Sequence, residues 1–365
     1  MIPGIVTSLL IHNDTLFIGG QFQNATNHSH VAYHADGTWH YYGNFSSAVN
    51  RLVVIEDTLY ACGVFTEVDG NPTPGVAKRV GGHWIGVGPV LPGGSSVGDL
   101  VKYNGRLVRT SNMTIDGIMR IHEFVDGQWV GLGPGIQGGL GGAKRLAVYQ
   151  GDLYVSGQFT PVAGNAGKEI MRWDGEQFHS LGSGLERALG DQTSFCTGAD
   201  MIVHDGFLWV AGGCNFAGGI PASGIARWDG TEWCGGPGSL GVPANGVSNI
   251  AFYRDTLFAS VFVPQIDGVF VNYLAKIIGE EFVEVCSGPV GMAELNSQDS
   301  PVHAYSLGDG QWIFSGLEPG MYSYRVVDML GRTMVRSQFV VNDRWSPPIN
   351  LSPLANGVHT VLFDK

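Results

Sequence analysis

Leu153-Tyr-Val-Ser-Gly-Gln-Phe159 returns as Leu16-Phe-Ile-Gly-Gly-Gln-Phe22 and as Leu59-Tyr-Ala-Cys-Gly-Val-Phe65. Weaker copies open at Leu107, Leu208 and Leu257, so the leucine recurs after 43, 48, 46, 55 and 49 residues. Each copy carries a second anchor downstream: Trp39, Trp84, Trp129, Phe178, Trp233 and Phe282, always 22–25 residues after its leucine. Two anchors that hold register over six copies define a structural repeat, and the repeat decides the fold.

Inside a copy the pattern is that of four strands. In the fourth, 143–149 and 152–159 flank Gln150-Gly151, and 168–173 and 176–181 flank Asp174-Gly175. The first turn recurs as Asn13-Asp14, Glu56-Asp57, Asn104-Gly105, Asp205-Gly206 and Arg254-Asp255. The second recurs as Asp36-Gly37, Gly81-Gly82, Asp126-Gly127, Asp229-Gly230 and Gly279-Glu280. Such pairs accept positive φ at both central positions, as a two-residue type I′ hairpin demands, so two-residue turns are expected throughout. Two hairpins of this length make one propeller blade. Only 184–189 hints at a helical period. Twisted four-stranded units bury both faces when they close radially, so the prediction is an all-β chain with a six-bladed β-propeller over 1–288. Small residues after the Leu-aromatic pair suit the crowded inner part, and the strand-four Trp suits the wider outer space between blades.

Composition agrees. Glycine is 56 of 365 residues, about twice the usual share, charged residues are only 14%, and aromatics are 11%, which excludes a disordered chain and a helical bundle. Net charge is −12 and no Lys/Arg cluster exists, which argues against nucleic-acid binding. No apolar run is long enough to span a bilayer.

The run Leu-Tyr-Val-x-Gly-x-Phe followed by Ile225-Ala-Arg-Trp-Asp-Gly-Thr-Glu-Trp233 resembles the kelch/galactose-oxidase-like propellers of bacterial extracellular proteins, over about residues 6–285. That resemblance speaks to fold, since propellers host many activities.

Residues 289–365 lack both anchors and read as a small Ig-like β-sandwich with short strands. Tyr324-Arg-Val-Val-Asp-Met-Leu-Gly-Arg332 and then Ile349-Asn-Leu-Ser-Pro-Leu-Ala-Asn-Gly357 resemble the C-terminal type IX secretion (Por) sorting domain of Bacteroidetes. The matching positions are Asp328, Gly331, Arg332, Leu354 and Gly357, with a basic last residue, Lys365. Two positions depart from it: Ala304-Tyr-Ser-Leu stands where a Tyr-Pro-Asn-Pro-like segment is usual, and His359 where Tyr is usual. The same stretch also fits an ordinary Ig-like stalk module. The resemblance implies export, recognition of the tail by the type IX secretion machinery, and a secreted or outer-surface location. Such cargo needs a signal peptide; 1–7 has no basic n-region and no apolar h-region, so the natural N-terminus is expected upstream.

Export invites disulfides. With Asp205-Gly206 as a turn, Cys196 and Cys214 lie almost opposite across the hairpin, and a bulge would absorb the one-residue offset. Cys234 is the competing partner. Cys62, at a position held by Gly or Ser elsewhere, reads as a buried thiol. No zinc spacing, calcium loop or phosphate loop is present, and neither metal nor cofactor is expected. His28 and His30 read as polar loop residues. Glu56, Glu67, Asp99, Asp116, Glu123 and Asp191 are acids by type only, with no spacing that pairs them, and no nucleophile elbow exists, so no catalytic residue is assigned.

Two functions stay open: a non-enzymatic binding or adhesion module for a glycan, a surface polymer or a protein, and a secreted carbohydrate-active enzyme with its site at the channel mouth. The long step from Leu153 to Leu208 places an insertion at 182–196. Glu186, Arg187 and Asp191 within it are the candidate ligand-binding residues.

Overall fold

The computed structural model describes 4–276 and 303–364, apart from 23–28, 90–95, 112–113, 116–117, 120, 138–141, 188–195, 197–199, 223, 236–246, 254–255, 263–264, 267–268 and 272 in the first stretch and 309–310, 316, 329–332, 343–344 and 352–358 in the second. The protein is nearly all β and propeller-like; a single 3-10 turn, Pro161–Ala163, is the only helical element among the described residues.

Five four-stranded antiparallel sheets follow one another, each a meander in chain order. The first holds Gly4–His12, Thr15–Phe22, Val31–Ala35 and Thr38–Tyr41. The first strands of the next four are Val49–Ile55, Leu100–Tyr103, Gly142–Tyr149 and Asp200–His204. A sixth sheet shows Val247–Tyr253, Thr256–Val261 and Leu274–Lys276. The first strand of each sheet packs beside the first strand of the next, from the first sheet to the sixth, so these strands form the inner wall.

Apolar faces lie between successive sheets. Leu52, Leu100, Leu146, Met201 and Ile250 occupy one repeat position and are 1–6% exposed, each facing the preceding sheet. The equivalent Leu9 is 70% exposed, and Ile5 and Ile11 of the same strand are exposed with it.

The strand-four tryptophans reach backward. The indole N–H of Trp84 donates to Tyr42 O at 3.0 Å, that of Trp129 to Val87 O at 2.9 Å, and that of Trp233 to Leu181 O at 2.8 Å. Each acceptor lies at the end of the preceding sheet. The residue after each of those acceptors is glycine, and at two of them the fit is tight: a Cβ on Gly43 or Gly88 would stand 2.6 Å from the indole of Trp84 or Trp129, and both glycines have positive φ. Sterics and backbone conformation both select glycine there.

Hairpin turns split into two kinds. Asn13-Asp14, Glu56-Asp57 and Asp126-Gly127 have positive φ at both residues, as type I′ requires. The expected two-residue turns at Asp174-Gly175 and Asp229-Gly230 are instead four-residue loops, closed by the Trp173–Phe178 and Trp228–Trp233 pairs. There the aspartate side chain does the turning: Asp174 Oδ1 accepts the N–H of Glu176 and Gln177, and Asp229 Oδ1 those of Thr231 and Glu232. These bonds hold the Asp174 carboxyl well below the usual carboxylate range. The helical hint at 184–189 is not realised in 185–186, which is a strand paired with Phe216–Ala217.

The tail forms two three-stranded sheets. His303–Gly308, Gln311–Ser315 and Ile349–Asn350 make one; Gly320–Asp328, Thr333–Val341 and His359–Asp364 make the other. Phe314, Tyr322, Tyr324, Val326, Phe339 and Ile349 share their core. Ile313 also packs on Phe216 of the fifth repeat. The boundary expected at 288/289 falls outside the described residues.

Candidate functional site

One residue before each inner leucine-type position stand Ser8, Arg51, Asp99, Arg145, Asp200 and Asn249. In four sheets the residue just ahead is a bulge, with register shifts at Val6/Ser8, Val49/Arg51, Ala143/Arg145 and Val247/Asn249. The bulge twists the strand so that this side chain leaves the inter-sheet core and faces the axis.

These side chains tie the inner wall together. Arg51 Nε lies 3.5 Å from Asp99 Oδ1, and its Nη1 is 3.3 Å from Asp200 Oδ1; Arg145 Nε is 3.3 Å from the same Asp200 oxygen. Arg51 thus joins the second sheet to the fifth, across the centre. The remaining lone pairs are used by backbone. Asp99 Oδ2 accepts the N–H of Leu146, Asp200 Oδ2 that of Ile250, and Ser8 Oγ that of Leu52, each at 2.9–3.2 Å. Thr7 Oγ1 donates to Val49 O, and Asn50 Nδ2 to Val97 O. Asp99, then Asp200, hold the Arg51 guanidinium above its ordinary pKa. The two central acids are buried, and each is held by arginine on one oxygen and by a backbone N–H of the following sheet on the other.

Beside Arg145 the polar system continues outward. Lys144 occupies the bulge, and burial lowers its ammonium below the ordinary lysine range while Glu169 raises it. Glu169 is 1% exposed and has φ +61°, a left-handed conformation that Gly75 and Gly224 adopt just before the third strands of their own sheets. A glutamate in that conformation costs about 1 kcal/mol relative to glycine. Its Oε1 accepts the Cys196 N–H at 2.6 Å. Burial pushes its carboxyl up to about 8, against the pull of that N–H and of Lys168, Lys144 and Arg187.

Cys196 and Cys214 are joined in a disulfide with Cα atoms 5.2 Å apart. Cys234 is also disulfide-bonded, while Cys62 is a buried free thiol whose pKa is raised, first by burial. A carboxylate oxygen of Glu169 and the two sulfurs of the Cys196–Cys214 bridge all lie within 4.8 Å of one another. The sulfurs are bonded to each other, so this trio is not a metal ligand set.

Of the three candidate ligand-binding residues, Glu186 is buried on its short strand, with Ser183 Oγ donating to its Oε2 at 3.3 Å. Arg187 is half-buried and its carbonyl accepts Asn215 Nδ2. Asp191 lies outside the described residues. In the tail, Asp328 ends a strand opposite His359, and Gly331, Arg332, Leu354 and Gly357 lie outside the described residues. Anchors on the second and fourth strands do not reveal the axial set; in register on the first strands, Arg51, Asp99, Arg145 and Asp200 form one column of alternating charge.

No protein-family model matches the chain, and no curated protein matches it significantly in sequence. Among solved structures it is similar to PorZ, a bacterial surface component of the type IX secretion system of Porphyromonas gingivalis, at 12% identity and TM-score 0.43 over 97% of this chain; the match spans 58% of that chain. It is similar to the WD40 β-propeller domain of Doa1 at 11% identity and TM-score 0.42, over 71% of this chain and 77% of that one. It is also similar to the Bacteroides ovatus xyloglucan-locus protein GH43B at 13% identity and TM-score 0.36, over 90% and 73%. Likenesses this distant carry no argument about activity.

Proposed function

We propose that the chain is an exported or cell-surface propeller of six blades over 1–288, carried by a C-terminal Ig-like sorting domain over 289–365, and that it is a non-enzymatic binding module for a glycan or surface polymer. The supporting observation is the commitment of Asp99 and Asp200. A catalytic propeller would keep acids free at its centre, whereas here arginines and backbone N–H groups of neighbouring sheets saturate them. Binding falls to the connection carrying Glu186, Arg187 and Asp191, beside the Glu169 cluster. Asp328, Gly331, Arg332, Leu354 and Gly357 address the type IX secretion machinery. Closure of the ring places the sixth sheet against Leu9, with Asn249 standing to Leu9 as Asp200 stands to Ile250.

The full chain on an array of bacterial-surface and plant-wall polysaccharides tests the binding reading. Arg187→Ala and Asp191→Ala are expected to weaken retention about tenfold, roughly 1.4 kcal/mol, with unchanged melting. Retention indifferent to both places the site elsewhere. One observation favours a carbohydrate-active enzyme instead: Glu169 is a buried carboxyl raised to about 8, the state of a general acid. Hydrolysis of aryl glycosides that is lost in Glu169→Gln would establish that reading. A reporter placed between a signal peptide and residues 289–365 should leave a type IX-competent cell; periplasmic retention refutes the sorting assignment.

A further inference from the structure

Glu169 holds a conformation that glycine would hold more cheaply, and it carries a charge-bearing group into the buried interior. Backbone strain that survives at a buried ionisable residue points to a role beyond packing. What its carboxyl meets is the Cys196–Cys214 bridge: the Cys196 N–H at 2.6 Å and both sulfurs within 4.8 Å. The bridge in turn ties the connection leading into the fifth sheet to Cys214, which follows that sheet's second strand, Phe207–Ala211. On the near side of the same connection, Asn215 holds Arg187 and Glu186 through their carbonyls.

We propose that Glu169 is the proton donor and acceptor of the Cys196–Cys214 disulfide, making the bridge a redox-responsive clasp on the connection that carries Glu186 and Arg187. The regulatory part rests on the binding role given above to that connection; the proton-transfer part does not. The reductant is a dithiol. Its thiolate attacks one sulfur of the bridge, the S–S bond breaks, and the bonding pair goes to the other sulfur. That thiolate takes the proton of Glu169. The reductant's second thiolate, its proton lost to solvent, then displaces the first cysteine and leaves as a cyclic disulfide. The displaced sulfur and Glu169 are protonated from solvent. Two electrons pass from the dithiol to the protein, and two thiols result. Lys144, Lys168 and Arg187 are the charged groups that bear on Glu169, and all three favour its ionised form once the proton has gone.

Reduction of the native full chain by dithiothreitol, without any glycan present, tests this. Free Cys196 and Cys214 are counted by alkylation and mass spectrometry between pH 6.5 and 9.5, and rates are divided by the reductant's thiolate fraction. The wild-type normalised rate should fall about tenfold across that range as Glu169 gives up its proton. Glu169→Gln should remove the fall. Glu169→Gly, which suits the left-handed backbone, should remove it without loss of folding. A flat wild-type profile, or the same fall in both variants, overturns the proposal. Because no ligand enters the measurement, failure of the binding reading leaves these rates unaffected; that reading is judged separately by polysaccharide retention of the Arg187→Ala chain.

Discussion

Arg51 on the second sheet and Asp200 on the fifth meet at 3.3 Å, although 149 residues separate them. Arg145 reaches the same aspartate oxygen from the fourth sheet, so one carboxylate organises three strands, and its other oxygen takes an N–H from a fourth.

Asp200→Ala should therefore cost far more than an exposed ion pair. It strips a partner from two half-buried guanidinium groups and orphans the Ile250 N–H, for a loss of about 3–5 kcal/mol. Urea unfolding measures it. Arg51→Met combined with Asp200→Ala should lose less than the two single losses together, because they share one interaction.

Arg109 offers the opposite case. It is 2% exposed, where the equivalent residues of the other five sheets are Ile18, Ala61, Val155, Val210 and Ala259. Its guanidinium lies 4.3 Å over the Trp129 ring, yet among the described residues Nε and Nη1 have no hydrogen-bond partner, and burial lowers its pKa to about 10. Arg109→Met keeps the volume and drops the charge, and should raise stability by about 1–3 kcal/mol. A less stable variant would mean that the cation–π contact outweighs the desolvation.

Glu169 fixes a pH dependence whose sign runs opposite to that of a salt-bridged acid. The unfolded carboxyl sheds its proton near the ordinary value of 4.5, while the folded one keeps it to about 8. Between those values the folded state binds more protons, so its contribution is present below 4.5, declines as pH rises, and is gone above about 8. Glu169→Gln mimics the protonated form. The stability gap between variant and wild type should widen from pH 5 to pH 8 and then level, reaching on the order of a few kcal/mol.

The proposed closure of the ring would make Leu9, 70% exposed on the first sheet, equivalent to Leu52. Leu9→Asp should then destabilise as Leu52→Asp does, by several kcal/mol, since each puts a charge into a sheet-to-sheet seam. If thermal melts find Leu9→Asp neutral beside a crippled Leu52→Asp, the first sheet's face is open to solvent.

The repeat, its four strands and its type I′ turns were legible because each rests on local chemistry: alternation, Asn/Asp-Gly pairs and spaced aromatics. The four-residue loops at 174–177 and 229–232 were not, because an Asp-Gly pair serves either loop and the choice depends on where the flanking aromatics pair across the strands. The axial charges were hidden differently. Arg51 and Asp200 are unremarkable where they stand in the chain, and only the packing of successive first strands side by side brings them together. Glu169 carried no local signal; only the repeat marks it, because it stands where two other copies have Gly75 and Gly224 ahead of the third strand.

The backward reach of the tryptophans gives the chain a direction of assembly. Trp84, Trp129 and Trp233 each donate to a carbonyl made earlier in synthesis, and the glycines that receive two of those rings are earlier too. A sheet leaving the ribosome finds its acceptor already in place and waits for nothing downstream. Loss of later repeats leaves the earlier latches intact, while loss of an early one orphans the indole of its successor. These latches alone favour assembly from the N-terminal side; loss of the fifth repeat is felt instead at the centre, where Arg51 would be left without Asp200.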